Sequence, residues 1–227
     1  MSISSSIKEE ISLKKFKEKV INDFRTVSLS RETSVQGRRE VLLGKGKFGI
    51  FGDGKELPQV VMSHFFKDGD YRSGYYRDQT LLMSQNLLSA REIFSAVYGH
   101  PDKVYEKMSG GRQMAGHFLT NTIDENNNWI DQTKQKNHIS DISPTASQMS
   151  RLVGLGLASK IYRNNKIIDS AKFSKNGNEV VWGTIGNAST SQGIFFEAIN
   201  ACGVLQIPTI ISIWDDEYGI SVHNKDH

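Results

Sequence analysis

With 227 residues, 28 basic side chains against 25 acidic ones and a net charge of +3, the chain can bury one sizeable core. Its charge is too evenly scattered for a nucleic-acid footprint. One cysteine, Cys202, excludes an internal disulfide and suits a reducing interior. No stretch is apolar enough to span a bilayer, and the start MSISSSIKEE lacks the basic and apolar segments of a secretory signal. The expectation is a soluble, cytoplasmic protein with no membrane and no nucleic-acid partner.

In chain order, residues 7–25 read as a helix with Ile11, Phe16, Val20 and Phe24 on one side and lysines on the other. Residues 1–29 form an N-terminal helical extension to a domain covering 30–227. A second helix over 30–43 has an all-polar middle, which suggests a surface or partner-facing element. Gly44, Gly46 and Gly49 match G-x-G-x-x-G literally, but polar and basic residues precede them where a dinucleotide loop needs a strand. They read as a turn. Pro58 suits the first turn of a helix running to Phe66. Asp68–Gln79 mixes turn residues, aromatics and two arginines, and reads as a connection with surface ion pairs. Helices follow at 79–87 and 90–99.

Met108–Ile142 has no period and is rich in Gly and Asn; a connection this long in a compact chain is functional or disordered. Its start, Gly110–His117, reads as the functional part, and Asn126–Asn128 as a solvated tip. Pro144 precedes a helix over 147–163 that buries Met149, Leu152, Val153, Gly156 and Leu157. Gly154, Gly156 and Ala158 would let it approach a neighbour closely. A polar turn over 163–178 leads into the stretch around which the rest is organised, Glu179–Ser221.

That stretch holds an apolar run to Ile185, a break at Gly186-Asn187-Ala188, an amphipathic helix carrying Phe195, Ala198, Ile199 and Cys202, and a second apolar run, Pro208–Trp214. Gly203 is a natural helix stop. Two strands joined through a helix lie parallel, so the loops after both emerge on one edge, where open α/β sheets bind ligands. Asn187 and Asp216, 29 positions apart, can then face one site. Of six histidines only His223 and His227 stand at i, i+4, and with no cysteine cluster the set argues against zinc. Asn187, Asp216 and backbone carbonyls are hard oxygen donors suited to Mg²⁺, and Gly186–Ser191 opens a helix N-terminus suited to phosphate. The residues alone therefore leave two readings: a Mg²⁺-bridged diphosphate site, or an ordinary βαβ unit with a polar loop.

Four blocks in order resemble the α chain of the thiamine-diphosphate-dependent first component of 2-oxoacid dehydrogenase complexes. They are Tyr75-Tyr76-Arg77-Asp78; Gly111-Arg112-Gln113-Met114 with His117; Ser143-Pro144-Thr145-Ala146-Ser147-Gln148; and Gly186–Gly193 with Asp215-Asp216-Glu217-Tyr218-Gly219-Ile220-Ser221. The second block resembles branched-chain (2-oxoisovalerate) members. Trp182–Gly186 and Trp214-Asp215-Asp216 resemble bacterial forms with α and β halves fused. Gly52-Asp53-Gly54 has the family's usual letters but lacks the paired residue at the right distance, where Leu82 stands.

The resemblance implies an α/β thiamine-diphosphate-binding fold, a mostly parallel sheet flanked by helices, incomplete at the C-terminus. It places Tyr76, Arg77, Gly186, Ala188 and Ser189 at the diphosphate. It places Ser143 and Thr145 near the aminopyrimidine, with Asn187, Asp216 and the Tyr218 carbonyl on Mg²⁺. Pro144, Ser147 and Gln148 match a potassium site of some members, and His117 is a candidate site histidine. Helix capping is the plain alternative for Ser143, Ser147 and Gln148, and a solvated loop residue for His117. The pattern departs at the metal: Asn187 stands for the usual Asp, Ala188 for Gly and Asp216 for the second Asn, so Asp216 is expected to supply the one carboxylate.

The implied reaction is oxidative decarboxylation of a 2-oxo acid with acyl transfer to a lipoyl-bearing acyltransferase, in an oligomer of α and β halves. Branched-chain 2-oxo acids are favoured, with pyruvate or acetoin second. The activating glutamate belongs to a β-type half and a histidine loop lies further on, so the chain, ending at His227 just past a strand, reads as truncated and inactive alone. A non-catalytic cofactor-binding or assembly half is the reading from another class, and a nicotinamide-binding module a third.

Overall fold

A computed structural model describes residues 12–113, 116–165 and 167–226. The expected helix start at residue 7, Ile11, Met114 and His227 lie outside them. The run Val181–Gly186 forms β3, buried at all six positions, and Thr209–Trp214 forms β4 beside it. The two pair in parallel from Val181↔Thr209 to Gly186↔Trp214, as a strand–helix–strand unit should. The linking helix α6 spans Gly193–Leu205. It runs past Gly203 because Gln206 adopts the left-handed conformation (φ 49°) and closes it, with its N–H on Cys202 and Gly203 carbonyls. Phe195 and Ala198 are buried, whereas Ile199 faces out.

Two further strands complete the sheet, and both lie in segments read from sequence as connections. β1 (Tyr71–Ser73) sits in the turn-rich run after Asp68, and β2 (Asn137–Ile139) at the end of the long Gly/Asn-rich stretch. Each has three residues, too few to show a period. The order is β2-β1-β3-β4, all parallel. From β1 the chain goes to β2 on one side, then crosses to β3 on the other side of β1. The gap between β1 and β3 is therefore the point where connections diverge, the usual crevice of an open α/β sheet. Beyond β4, β5 (Tyr218–Gly219) and β6 (Val222–His223) form a small antiparallel hairpin.

Helices cover both faces. Helix α5 (Gln148–Asn164) and α6 pack on one, where Met149, Leu152 and Phe195 meet Val181 and Ile185. Gly156 of α5 lies against Ile207, while Gly154 is exposed with nothing near it, contrary to expectation. On the other face, Met62 and Phe66 from α2 (Glu56–Phe65) and its end pack on Trp182 and Trp214, with Leu81 of α3 (Gln79–Ser84). Alternate residues of β3 thus serve opposite layers, as strand geometry requires. Helix α4 (Ala90–Val97) follows, opened by a capping box between Ser89 and Glu92.

The two N-terminal helices expected are one: α1 runs unbroken from Leu13 to Leu42, across the expected domain limit at residue 30, because no Gly or Pro interrupts residues 25–36. Its polar middle is its buried face, not a surface. Ser30, Thr33, Ser34 and Gly37 are inside. Ser30 Oγ lies 2.6 Å from Thr80 Oγ1, and Gln79 Nε2 donates to Ser34 Oγ at 2.7 Å. At Gly37 a Cβ would stand 2.4 Å from the Phe51 ring, so only glycine lets that ring seat against the helix. The apolar side of its first half, Leu13, Phe16, Val20 and Phe24, is exposed.

The strands are joined by buried charge. Arg72, fully buried in β1, donates through Nε to Asp78 Oδ2 at 2.9 Å and through Nη2 to Asp141, beyond β2. Asp78 also accepts from Thr184 of β3, and from Trp214 Nε1 of β4 at 2.8 Å. The arginines and acids expected to pair at the surface therefore include a pair that ties all four strands together. Burial pushes the Asp141 carboxyl up to about 7, outweighing the opposing pull of Arg72, with the nearby Asp78 charge adding to the rise.

Asp78→Ala should cost about 3–5 kcal/mol, measured by denaturant unfolding, because it strands a buried guanidinium. Asp141 keeps a proton in the folded chain that the unfolded chain has lost between pH 3.8 and about 7. Stability should therefore fall as pH rises through that window and level off above it, and Asp141→Asn should remove that fall.

Candidate functional site

Because all four strands run parallel, the segments that follow them share one edge of the sheet. After β1 come Gly74-Tyr75-Tyr76-Arg77; after β2, Ser140–Thr145; after β3, Asn187–Ser191; after β4, Asp215-Asp216. The first of these is a tight turn, closed by the Tyr75 N–H on Asp78 Oδ2 at 3.3 Å and the Asp78 N–H on the Tyr75 carbonyl at 3.1 Å. Gln59 Nε2 holds the Arg77 carbonyl at 2.9 Å. Gly52 packs against that carbonyl so closely that a Cβ would lie 2.5 Å away. The Gly52-Asp53-Gly54 turn therefore buttresses Arg77. The Arg77 guanidinium carbon lies 5.7 Å from the centre of the Tyr76 ring, and Tyr75 meets that ring edge-on. Gly44–Gly49 is a turn with no helix after it.

After β3, the Asn187 N–H bonds the Trp214 carbonyl at 3.3 Å, and Ala188–Ser191 make one 3₁₀ turn before α6. Gly186 is buried, and Asn187, Ala188 and Ser189 are half-buried. On the other side, His117 Nε2 bonds Ser143 Oγ, joining two blocks 26 residues apart. Those two side chains, with Tyr76, Arg112, Phe48 and Ile50, line a cavity of about 480 Å³. Ser143, Pro144 and Thr145 are exposed. Tyr76 borders both this cavity and Arg77, so the cavity and the β1 turn adjoin.

The residues matched to a potassium site do other work here. The Pro144 carbonyl accepts the Ser147 N–H at 3.1 Å. Gln148, buried, donates from Nε2 to the Thr184 carbonyl at 2.9 Å, and its own carbonyl accepts from Ser73 Oγ at 2.8 Å. Neither Ser147 nor Gln148 caps α5 with its side chain. Their bonds fasten α5 to β1 and β3, and nothing in that bonding gathers them round an ion.

The expected magnesium ligands are likewise arranged differently. Asp216, the anticipated carboxylate, is paired through Oδ2 with Lys55 Nζ at 2.6 Å. Asn187 Nδ2 donates to the Tyr218 carbonyl at 3.1 Å and to Asn224 Oδ1 at 2.5 Å. Asn224 in turn donates to Asp215 Oδ1 at 2.7 Å. The Glu217 N–H and the Asn224 side chain hold Asp215 below the usual carboxylate range. An amide –NH₂ thus lies between the Tyr218 carbonyl and Asn224 Oδ1, and the two carboxylates of the matched block are engaged with Asn224 and Lys55. Mg²⁺ retains water and needs one or two carboxylates beside phosphate; this donor set does not fit it. Among the described residues, no group of three or more His, Cys, Asp or Glu is placed to hold a metal ion.

Sequence reasoning missed three members of this edge. Lys55 is buried, an unusual state for lysine that only its pairing explains, and no motif flags it. Asn224 follows the matched block. Tyr75 stands beside Tyr76, and the pair of tyrosines was visible, but only burial separates them: Tyr75 is inside and Tyr76 is partly open.

The model of the family described as Dehydrogenase E1 component matches residues 34–227. The 2-oxoisovalerate dehydrogenase subunit alpha of Bacillus subtilis (strain 168) is 28% identical over 209 residues, 90% of this chain and 53% of that protein. The chain therefore spans about half the length of this curated relative. The fold has the parallel, helix-flanked sheet that the resemblance implied, with its matched blocks brought to one edge. The family match runs from the last third of α1 to residue 227, and on it the chain belongs to the dehydrogenase E1 component family.

Proposed function

We propose that this chain supplies the diphosphate-binding half of a thiamine-diphosphate site in a dehydrogenase of branched-chain 2-oxo acids. The acyl product passes to a lipoyl-bearing acyltransferase, and a β-type half completes the site. One observation carries the cofactor reading. The Tyr75-Tyr76-Arg77 turn after β1 and the Gly186–Ser189 turn after β3 meet where the connections diverge, the place an open α/β sheet offers a phosphate. The branched-chain preference rests on the Gly111-Arg112-Gln113 block and on the name of the Bacillus subtilis relative.

The bound cofactor supplies an electron sink for loss of carbon dioxide from the 2-oxo acid. The chain's own residues bind and orient it. Arg77, fixed by Gln59 and backed by the Tyr76 ring, presents a guanidinium fork to phosphate oxygens. Gly186, Ala188 and Ser189 offer backbone and hydroxyl groups across the crevice. His117, paired with Ser143, stands at the adjoining cavity, where it can hold or move a proton at Nε2. Ser143 and Thr145, exposed after β2, would hold the aminopyrimidine end.

The second reading is a cofactor-binding or assembly half without catalysis of its own. The Asn187 amide bridge favours it, since the metal position expected in the family lacks its carboxylate.

With the β-type half present, thiamine diphosphate should bind the chain, and Arg77→Ala should weaken binding about tenfold or more by calorimetry. Turnover with 3-methyl-2-oxobutanoate, compared with pyruvate and acetoin, then separates the readings. No turnover with any of them, despite binding, selects the non-catalytic half. The metal has its own check. The melting temperature of the chain should not respond to Mg²⁺, and its Mn²⁺ signal in electron paramagnetic resonance should stay that of the free ion. Asn187→Asp, which sets a carboxylate against two oxygens, should melt lower and recover on adding Mg²⁺.

A further inference from the structure

Tyr75 is 6% exposed, and among the described residues its O–H finds no acceptor, while the Arg77 side chain can only donate to it. Its neighbours in the turn are satisfied: its own N–H is on Asp78, and the Arg77 carbonyl is on Gln59. Phenylalanine would fill the same ring position between Leu81 and Trp214 without burying an idle polar group. The hydroxyl therefore calls for an acceptor that is not part of the chain.

Its position says which. The oxygen lies 3.5 Å from the point where a Cβ on Gly186 would stand, and Ser189 Oγ lies 4.0 Å from the same point. Glycine at 186 leaves that point open. Tyr75 follows β1 and Gly186 ends β3, so the hydroxyl looks into the crevice between the two strands at which the connections diverge. Burial and the nearby Asp78 charge raise the pKa of this phenol, and the Arg77 guanidinium, acting as a charge and as a hydrogen-bond donor, opposes them. A guanidinium and an O–H without an acceptor therefore converge on one small space flanked by a serine hydroxyl.

We propose that the Tyr75 hydroxyl is a phosphate-binding donor of this site, spanning from β1 to the anion held at the end of β3 alongside Arg77 and Ser189. The inference rests on the cofactor reading above and adds to it a residue that the matched motif does not assign. It makes Tyr75 a binding residue whose O–H has no acceptor in the unliganded chain and gains one in the complex. That separates it from Arg77, whose guanidinium already stacks on Tyr76.

The test is Tyr75→Phe, read in two ways. Without ligand, its melting temperature should equal or exceed that of the parent chain, because a buried O–H without an acceptor is removed. With the β-type half present, affinity for thiamine diphosphate should fall about tenfold by calorimetry. Affinity for inorganic pyrophosphate should fall in parallel. An unchanged affinity in Tyr75→Phe, where the parent binds, overturns this inference and leaves the cofactor reading standing. A lower melting temperature without ligand also overturns it, since the hydroxyl would then have a partner in the chain. Failure of the parent to bind thiamine diphosphate or pyrophosphate overturns both.

Discussion

The Arg72–Asp78 ion pair is the joint on which the sheet depends. Two of the strands have only three residues each, which is little ladder to hold them. Asp78 reaches β1 through Arg72, β3 through Thr184 and β4 through Trp214, while Arg72 reaches Asp141 beyond β2. Charges this deep are tolerated because each has several partners and the oxygens are well occupied. The same joint sets the turn that carries Tyr75, Tyr76 and Arg77, since Asp78 closes that turn. Sheet integrity and site geometry therefore rest on one carboxylate. Substitutions that disturb the first will disturb the second, and activity losses here need a stability control before they are read as chemistry.

Legibility in the sequence followed hydrophobic contrast. The β3–α6–β4 unit and α5 were readable because apolar runs and helical spacing are strong there and turn residues bound them. β1 and β2 were not. A three-residue strand whose central member is arginine or histidine carries no alternation, and its burial depends on partners far away in sequence. The polar middle of α1 misled for a related reason. Small hydroxyl residues bury well against Gln79 and Thr80, so polarity did not mean exposure. Of the site, the blocks that converge at the sheet edge were identifiable, as was their order. What each side chain does there was not, because Lys55 competes for Asp216 and Thr184 for Gln148, and neither competitor has a motif.

The arrangement around Asn187 shows how a loop can keep its shape while its chemistry changes. The Asn187–Tyr218 and Asn187–Asn224 bonds pin the β5–β6 hairpin to the end of β3. Lys55–Asp216 pins the end of β4 to the start of α2 from the other side. Two neutral amides and one ion pair fix this edge, and the crevice between β1 and β3 lies beside it.

The two buried tryptophans have an optical consequence. Trp182 Nε1 donates to Asp70 at 3.1 Å and Trp214 Nε1 to Asp78 at 2.8 Å, while Trp129 is more than half exposed. Each buried indole thus sits in an apolar shell with a carboxylate at its nitrogen. Trp214 is also the last residue of β4, its carbonyl bonded by Asn187 and its chain running straight into Asp215 and Asp216. Its emission will report changes at this edge of the sheet from within the native chain, with no label added. The quenchable, red-shifted light of Trp129, by contrast, comes from the solvent-facing side of the molecule.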